Sequence, residues 1–131
     1  MSTRKRLLII DDEADFGRFV GDVGTDLGYE TVVTSVPDDF QAAYRAAPPD
    51  VIVLDVVMPK MDGIEIVRWL VDQNCRARIL IISGYNPLFA TAARMLGEQA
   101  SRMDIRQMQK PVKLAELRAA LTEVLGKATG P

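Results

Sequence analysis

Five short aliphatic runs are the feature of this sequence that most restricts its fold. They are RLLIID (6–11), ETVVTS (30–35), VIVLDV (51–56), RILIIS (78–83) and, more weakly, DIRQMQ (104–109). Continuous aliphatic runs are typical of strands covered on both faces, as in a parallel sheet flanked by helices. The longer stretches between the runs have apolar residues at intervals of three and four, which is the helical period. The sequence therefore predicts an α/β fold in the order βαβαβαβαβα.

The predicted helices have clear apolar stripes and boundary signals. The stripes are Phe16, Phe19, Val20, Val23 and Leu27; Phe40, Ala43, Tyr44 and Ala47; and Leu114, Leu117, Leu121 and Val124. Gly28 stands where glycine commonly ends a helix, and Pro37 stands where proline commonly begins one. The first helix also contains Gly17, Gly21 and Gly24. Each glycine costs a helix about 1 kcal/mol relative to alanine, so this helix depends on packing for its stability.

Length and composition are those of one globular domain. The chain has 131 residues, of which 48% are hydrophobic and 26% are charged, so it has enough apolar residues for one sizeable core. We expect a single domain over residues 1–131, with its core at about 6–126 and a tail or linker stub at 127–131. The net charge of −2 gives no broad basic surface, so direct nucleic-acid binding is not expected.

The same counts restrict the location and the chemistry. No apolar run approaches the length of about 20 residues that spans a bilayer, and no secretory signal is evident, so a cytoplasmic protein without a membrane contact is expected. The single cysteine, Cys75, cannot form an internal disulfide. There is no histidine, which excludes histidine-based triads and most zinc sites. Any reaction must therefore use carboxylates, hydroxyls and lysine.

Polar residues close four of the five predicted strands. Asp11 and Asp12 close the first, Asp55 the third, Ser83 the fourth and Lys110 the fifth. In an open parallel sheet, ligands bind outside the carboxyl ends of the strands, where the strand order reverses. Taken singly, each residue has an ordinary explanation as a helix cap, a turn residue or a solvated lysine. Their coincidence at one edge favours a binding site.

The chemistry of this set indicates phosphoryl transfer. Three carboxylates close together repel one another and favour a bound cation. Magnesium prefers oxygen ligands and is usually held by a few carboxylates while it keeps waters for an incoming phosphate. Lys110 would add a second positive charge facing the phosphate. The sequence therefore predicts a magnesium-dependent phosphoryl-transfer site.

Four motifs at these strand ends resemble those of the receiver domain of two-component response regulators. They are IIDDE, VLDVVMPKMDG, IISG and QKPV, and the resemblance extends from about Arg6 to Gly126. It implies a flavodoxin-like (βα)5 three-layer sandwich with a five-stranded parallel sheet in the order 2-1-3-4-5. It also implies a cis peptide bond between Lys110 and Pro111.

The resemblance further implies a role for each residue of the site. Asp55 would accept a phosphoryl group from a sensor histidine kinase or a histidine phosphotransfer domain. The implied magnesium ligands are Asp11, Asp12, Asp55 and the backbone carbonyl of Val57. Ser83 and Lys110 would contact the phosphoryl oxygens. The protein would catalyse at most its own phosphorylation and dephosphorylation, and it would control an output domain or partner protein, with a homodimer as one arrangement.

One position departs from the family pattern. Receiver domains have an aromatic residue three positions before the lysine, which turns inward on activation, whereas this chain has Gln107. We therefore expect switching mainly through the loop after Ser83 and the start of the following helix, with Gln107 held in one orientation. The alternative is a receiver that acts as a constitutive docking or dimerisation module. A phosphatase of the haloacid dehalogenase type is disfavoured, because it needs an aspartate where Val57 stands.

Overall fold

The computed structural model describes residues 4–55, 63–84, 87–101 and 104–128, which form five strands and five helices in strict alternation. The strands are β1 (Arg6–Ile10), β2 (Glu30–Thr34), β3 (Val51–Asp55), β4 (Arg78–Ser83) and β5 (Ile105–Gln109). The helices are α1 (Ala14–Asp26), α2 (Pro37–Ala46), α3 (Gly63–Asp72), α4 (Pro87–Ser101) and α5 (Leu114–Ala128). The predicted element order is confirmed, and each strand coincides with its aliphatic run.

All five strands are parallel and lie in the order β2-β1-β3-β4-β5, as predicted. The order reverses at β1, since the chain moves from β1 outward to β2 and then across to β3. Ile10 is paired with Leu54, so the next residues, Asp11 and Asp55, lie side by side at the carboxyl edge. Register alone therefore brings two of the predicted site residues together.

Alternate residues of each central strand face opposite layers of the sandwich. Leu8, Ile10, Ile52 and Leu54 pack with α2 and α3, whereas Leu7, Ile9, Val51 and Val53 pack with α1 and α5. Both sets are almost fully buried. The continuous aliphatic runs thus supply two cores at once, which is why strict alternation of apolar and polar residues is absent from them.

The interpretation of the runs as covered on both faces is wrong for β2. This edge strand leaves Val32 46% and Val33 45% exposed. The α5 stripe is also only partly correct, because Leu114 lies at the exposed start of the helix while Leu117 and Leu121 are buried. Among the helices that the structure describes, none is both long and apolar enough to cross a membrane.

The glycines of α1 permit close packing against the sheet. A Cβ atom placed on Gly21 would lie 2.7 Å from Val33 Cγ2, which is a steric clash. One placed on Gly24 would clash with Leu7 Cδ2 at a still shorter distance. Helix α1 therefore approaches the sheet more closely than an alanine helix could, and this contact offsets the low helix propensity of glycine. Gly28 follows the helix with φ +99°, as predicted for a glycine that ends a helix.

Candidate functional site

An acidic cluster lies at the carboxyl edge of β1 and β3. Carboxylate oxygens of Asp11, Asp12 and Asp55 lie within 4.8 Å of one another. Asp11 and Asp55 are buried, with exposed fractions of 2% and 1%, whereas Asp12 faces solvent. The cluster therefore has two buried carboxylates and one open side, an arrangement through which a cation and a phosphate can enter.

Asp11 is fixed by main-chain contacts on both sides. Its backbone N–H donates to the carbonyl oxygen of Thr34 at 3.1 Å, which extends the β1–β2 pairing by one residue. Its Oδ1 atom accepts a hydrogen bond from the backbone N–H of Glu13 at 2.8 Å, immediately before α1. Asp11 thus stabilises the turn before α1 without capping the helix, because its partner is the N–H of the N-cap residue Glu13, and its Oδ2 is directed toward Lys110.

Lys110 joins the acidic cluster from the end of β5. Its Nζ atom lies 2.9 Å from Asp55 Oδ2, 3.5 Å from Asp11 Oδ2 and 2.7 Å from Glu13 Oε1. The ammonium also lies 4.2 Å from the centre of the Phe16 ring, which is a cation–π contact. The Lys110–Pro111 peptide bond is cis, as predicted.

Burial and neighbouring charges change the proton affinity of the cluster. Burial and the neighbouring Asp55 carboxylate raise the pKa of Asp11 to about 7. The same two causes raise the pKa of Asp12. Burial acts to lower the pKa of Lys110, but its hydrogen bonds with Glu13 and Asp55 outweigh burial, so this pKa is raised. Both carboxyl pKa values are raised because burial and neighbouring negative charge disfavour the ionised form.

Ser83 and Val57 are the other two predicted site residues. Ser83 ends β4, and its backbone is paired with Gln109, one residue before Lys110. The strand register thus places Ser83 at the same edge as the acidic cluster. Val57, whose carbonyl is the fourth implied magnesium ligand, lies outside the described residues.

Comparison with known protein families shows which family this chain belongs to. The model of the response regulator receiver domain matches residues 7–122, which include every predicted site residue. The chain belongs to the response regulator receiver domain family. Domains of this family act in two-component signalling, where they interact with histidine kinases and output domains and generally bind Mg²⁺ at an acidic pocket.

Individual proteins resemble this receiver domain at moderate identity. The chemotaxis protein CheY of Treponema pallidum is 35% identical over 81 residues, which are 60% of this chain and 56% of that protein. The probable transcriptional regulator ycf27 of Pyropia yezoensis is 29% identical over 125 residues, which are 95% of this chain and 49% of that protein. The chain thus spans about half the length of the curated relatives that it matches first.

Solved structures share the fold of this receiver domain. A receiver domain protein of Methanospirillum hungatei superimposes with a TM-score of 0.81 at 21% identity, covering 96% of this chain and 97% of that one. The receiver domain of a LuxO-like repressor from Vibrio parahaemolyticus gives a TM-score of 0.77 at 19% identity, covering 95% and 92%. The predicted flavodoxin-like sandwich is confirmed.

A second polar cluster, which the sequence did not predict, connects β5 to α4. Gln107 accepts a hydrogen bond from Arg94 Nε and donates one to Thr91 Oγ1 at 3.4 Å. Arg94 in turn donates to Glu98 Oε1 at 3.0 Å. We call Thr91, Arg94, Glu98 and Gln107 the α4–β5 network. Residues 91, 94 and 98 share one helical face, which is the only sequence signal that could have indicated it.

An open apolar recess lies beside Lys110. It has a volume of about 520 Å³ and is lined by Phe16, Phe19, Gly84, Lys110, Pro111 and Val112. The two phenylalanines were predicted as core residues of α1, and they do pack against the core that faces α1 and α5, although they are only partly buried. Their outer surfaces thus form one wall of the approach to the site.

Proposed function

We propose that this receiver domain accepts a phosphoryl group on Asp55 and is switched by it. The observation that carries the proposal is the position of Asp55, which is buried at the carboxyl edge of the sheet, close to two other carboxylates and 2.9 Å from the Lys110 ammonium. A buried carboxylate needs positive charge around it before it can act as a nucleophile on a phosphorus atom. The residues around Asp55 can supply that charge directly, through Lys110, and indirectly, through a bound cation.

Magnesium fits this cluster. The three aspartates offer only oxygen ligands, they lie within 4.8 Å of one another, and one side of the cluster is open. Asp11, Asp12 and Asp55 would hold the ion, with the carbonyl of Val57 as the remaining protein ligand. Bound there, magnesium would neutralise charge on the phosphoryl oxygens and on the acceptor. Burial first and the neighbouring Asp55 carboxylate second raise the pKa of Asp11, and a cation bound there would offset both, because it would favour the charged form.

The proposed transfer requires one bond to form and one to break. A carboxylate oxygen of Asp55 forms a bond to the phosphorus of a phosphohistidine on a histidine kinase or phosphotransfer protein, and the phosphorus–nitrogen bond breaks. The leaving imidazole nitrogen retains the electron pair of that bond. Lys110, and Ser83 at the same edge, would stabilise the negative charge on the transferred phosphoryl oxygens. The recess beside Lys110 gives the donor side chain room to approach.

The proposed switch follows from differential binding. A phosphoryl group at Asp55 shifts the protein toward the conformation that binds it better, and a change from 1:99 to 99:1 requires roughly 5.5 kcal/mol of differential interaction. The conformational change would be read by an output domain or partner protein. This receiver domain would thus serve as a switch and would catalyse only its own phosphorylation and dephosphorylation.

Incubation with acetyl phosphate and Mg²⁺ tests the proposal. We expect the intact mass to increase by one phosphoryl group in the wild type and in Asp72→Ala, whose aspartate lies at the exposed end of α3. We expect no increase in Asp55→Ala or when EDTA replaces Mg²⁺. A full mass gain in Asp55→Ala would place the acceptor elsewhere and contradict the proposal.

The constitutive docking module is less well supported. The one feature in its favour is Gln107, which stands where the family has an aromatic residue. In the structure Gln107 is hydrogen-bonded to α4, a contact that a switching receiver can also have. The acidic cluster and Lys110 would have no function in such a module. It would be favoured if the wild type gained no mass with acetyl phosphate while it still formed a dimer in sedimentation experiments.

A further inference from the structure

The Lys110 ammonium has no N–H group left over for a phosphoryl oxygen. A lysine ammonium has three N–H donors, and Lys110 faces three different carboxylates, those of Glu13, Asp55 and Asp11. The side chain is 14% exposed, so little of it is available to solvent. A phosphoryl group that contacts Lys110 must therefore displace one of these three carboxylates.

Glu13 is the carboxylate that can leave most easily. Asp55 is the acceptor, and Asp11 is 3% exposed and belongs to the acidic cluster, so both are fixed in place. The Glu13 side chain is 66% exposed and makes the shortest contact with Lys110, at 2.7 Å. An exposed carboxylate regains its hydration when it leaves, so it is displaced at a small cost.

We propose that Glu13 occupies one N–H donor of Lys110 in the resting protein and is released when a phosphoryl group takes its place. This inference rests on the proposed function of Asp55. It assigns to Glu13 a restraining effect on phosphorylation, because the incoming group must compete with an ion pair that already exists. Glu13 also adds a negative charge to the approach of an anionic phosphoryl donor, which acts in the same direction.

Loss of Glu13 should not displace Lys110 from the site. The ammonium would keep its contacts with Asp55 and Asp11 and its position over the Phe16 ring. Neutralising the Glu13 side chain therefore weakens one of the three Lys110 contacts to an ordinary hydrogen bond and leaves the other two in place. The variant Glu13→Gln is suited to the test, because it removes the charge and keeps the length of the side chain.

Asp15 provides a matched control. It lies on the first turn of α1, two residues from Glu13, and its fully exposed side chain is paired with Arg18 at 3.1 Å. Asp15→Asn removes the same charge from the same region without touching Lys110. A difference between Glu13→Gln and Asp15→Asn thus reports the contact with Lys110 and not the net charge.

Two measurements test the proposal. The first is the initial rate of phosphorylation by acetyl phosphate with Mg²⁺, which we expect to be about two- to fivefold higher in Glu13→Gln than in Asp15→Asn, the range that an exposed ion pair provides. The second is the modification rate of Lys110 by an amine-reactive reagent without phosphate donor, measured by peptide mass spectrometry. We expect this rate to increase in Glu13→Gln and to stay at the wild-type value in Asp15→Asn.

The outcomes separate this proposal from the function on which it rests. An equal or lower phosphorylation rate in Glu13→Gln than in Asp15→Asn overturns the restraining role, and so does an unchanged Lys110 modification rate. If the wild type gains no phosphate at all, the proposed function fails. The modification assay then decides alone whether Glu13 holds Lys110, since it requires no phosphorylation.

Discussion

The acidic cluster and the α4–β5 network are two polar regions of the domain that differ in how they are held. Asp11 and Asp55 are placed by strand register and are buried, with exposed fractions of 2% and 1%. The α4–β5 network consists of half-exposed side chains that reach across from a helix to a strand. The first region is fixed by the backbone, whereas the second is fixed by side-chain contacts alone.

Under the proposed function, this difference would separate the chemistry of the domain from its output. The proposed acceptor, Asp55, must be positioned accurately, because phosphoryl transfer depends on the geometry of the groups around the phosphorus. A surface that changes conformation needs contacts that open at low energy, and half-exposed hydrogen bonds meet that need. We therefore expect substitutions in the acidic cluster to change phosphorylation and substitutions in the α4–β5 network to change stability and switching.

The largest expected effect is that of Lys110→Met, which removes the ammonium and keeps the length of the side chain. We expect the rate of phosphorylation by acetyl phosphate to fall by about 100-fold, since loss of one group that stabilises a developing charge typically costs that much. Lys113→Met is the matched control, because Lys113 is exposed three residues further along. A decrease of similar size in both variants would show that general charge, and not the contact of Lys110 with Asp55, determines the rate.

Much of the acidic cluster was predictable, because its residues follow directly after strands that the aliphatic runs identify. Once Ile10 is paired with Leu54, Asp11 and Asp55 must be neighbours. Contacts made by long side chains are different. The pair of Glu13 with Lys110 joins residues 97 positions apart, and it depends on the path of two loops that no periodic pattern describes.

The same reason explains what the sequence missed elsewhere. The exposure of Val32 and Val33 follows from the edge position of β2, and an aliphatic run reads alike in an edge strand and a central strand. The glycines of α1 could be counted, but their purpose required the position of the helix over Leu7 and Val33. The Gln107 contacts required the orientation of α4. The sequence thus predicted the neighbours that follow from strand order, but not the contacts that depend on the conformations of long side chains.

The next effect in size concerns the pH dependence of stability. The pKa of Asp11 is about 7 in the folded protein and near 3.8 in the unfolded chain, so between these values the folded state holds a proton that the unfolded state has released. The free energy of unfolding should therefore fall as the pH rises from about 4 to about 7, by roughly 2 to 4 kcal/mol in the absence of metal. Asp11→Asn should remove most of this decrease and be more stable than the wild type at pH 8.

Urea unfolding in EDTA, followed by fluorescence of the single tryptophan, measures this effect. Trp69 packs against Tyr44 with ring centres 5.2 Å apart, away from the acidic cluster, so it reports unfolding without a direct effect of the substitution. Asp12→Asn is the control. Because Asp12 is exposed, this substitution should alter the pH dependence of the free energy of unfolding less than Asp11→Asn does. A wild type whose stability does not decrease between pH 4 and 7 would contradict the raised pKa of Asp11.

The smallest expected effect is that of Gln107→Ala, which removes the strand side of the α4–β5 network. We expect the free energy of unfolding to decrease by about 1 kcal/mol, since the lost hydrogen bonds are partly exposed. The phosphorylation rate should remain within twofold of the wild-type rate, because the Gln107 side chain is hydrogen-bonded to Arg94 and Thr91 of α4 and not to the acidic cluster. Gln109→Ala, an exposed glutamine of the same strand, is the control and should change neither quantity.

A double-mutant cycle would show which α4 contact holds Gln107. The bond with Thr91 is 3.4 Å long, which is near the limit for a hydrogen bond, whereas the bond with Arg94 is short and involves a charged donor. We therefore expect a larger coupling energy for Gln107 with Arg94 than with Thr91, tested with Arg94→Ala and Thr91→Val. If neither pair is coupled, the network contributes nothing to stability, and the two regions differ in chemistry alone. If Gln107→Ala also changes the phosphorylation rate severalfold, the α4–β5 network acts on the acceptor, and the separation of chemistry from output is wrong.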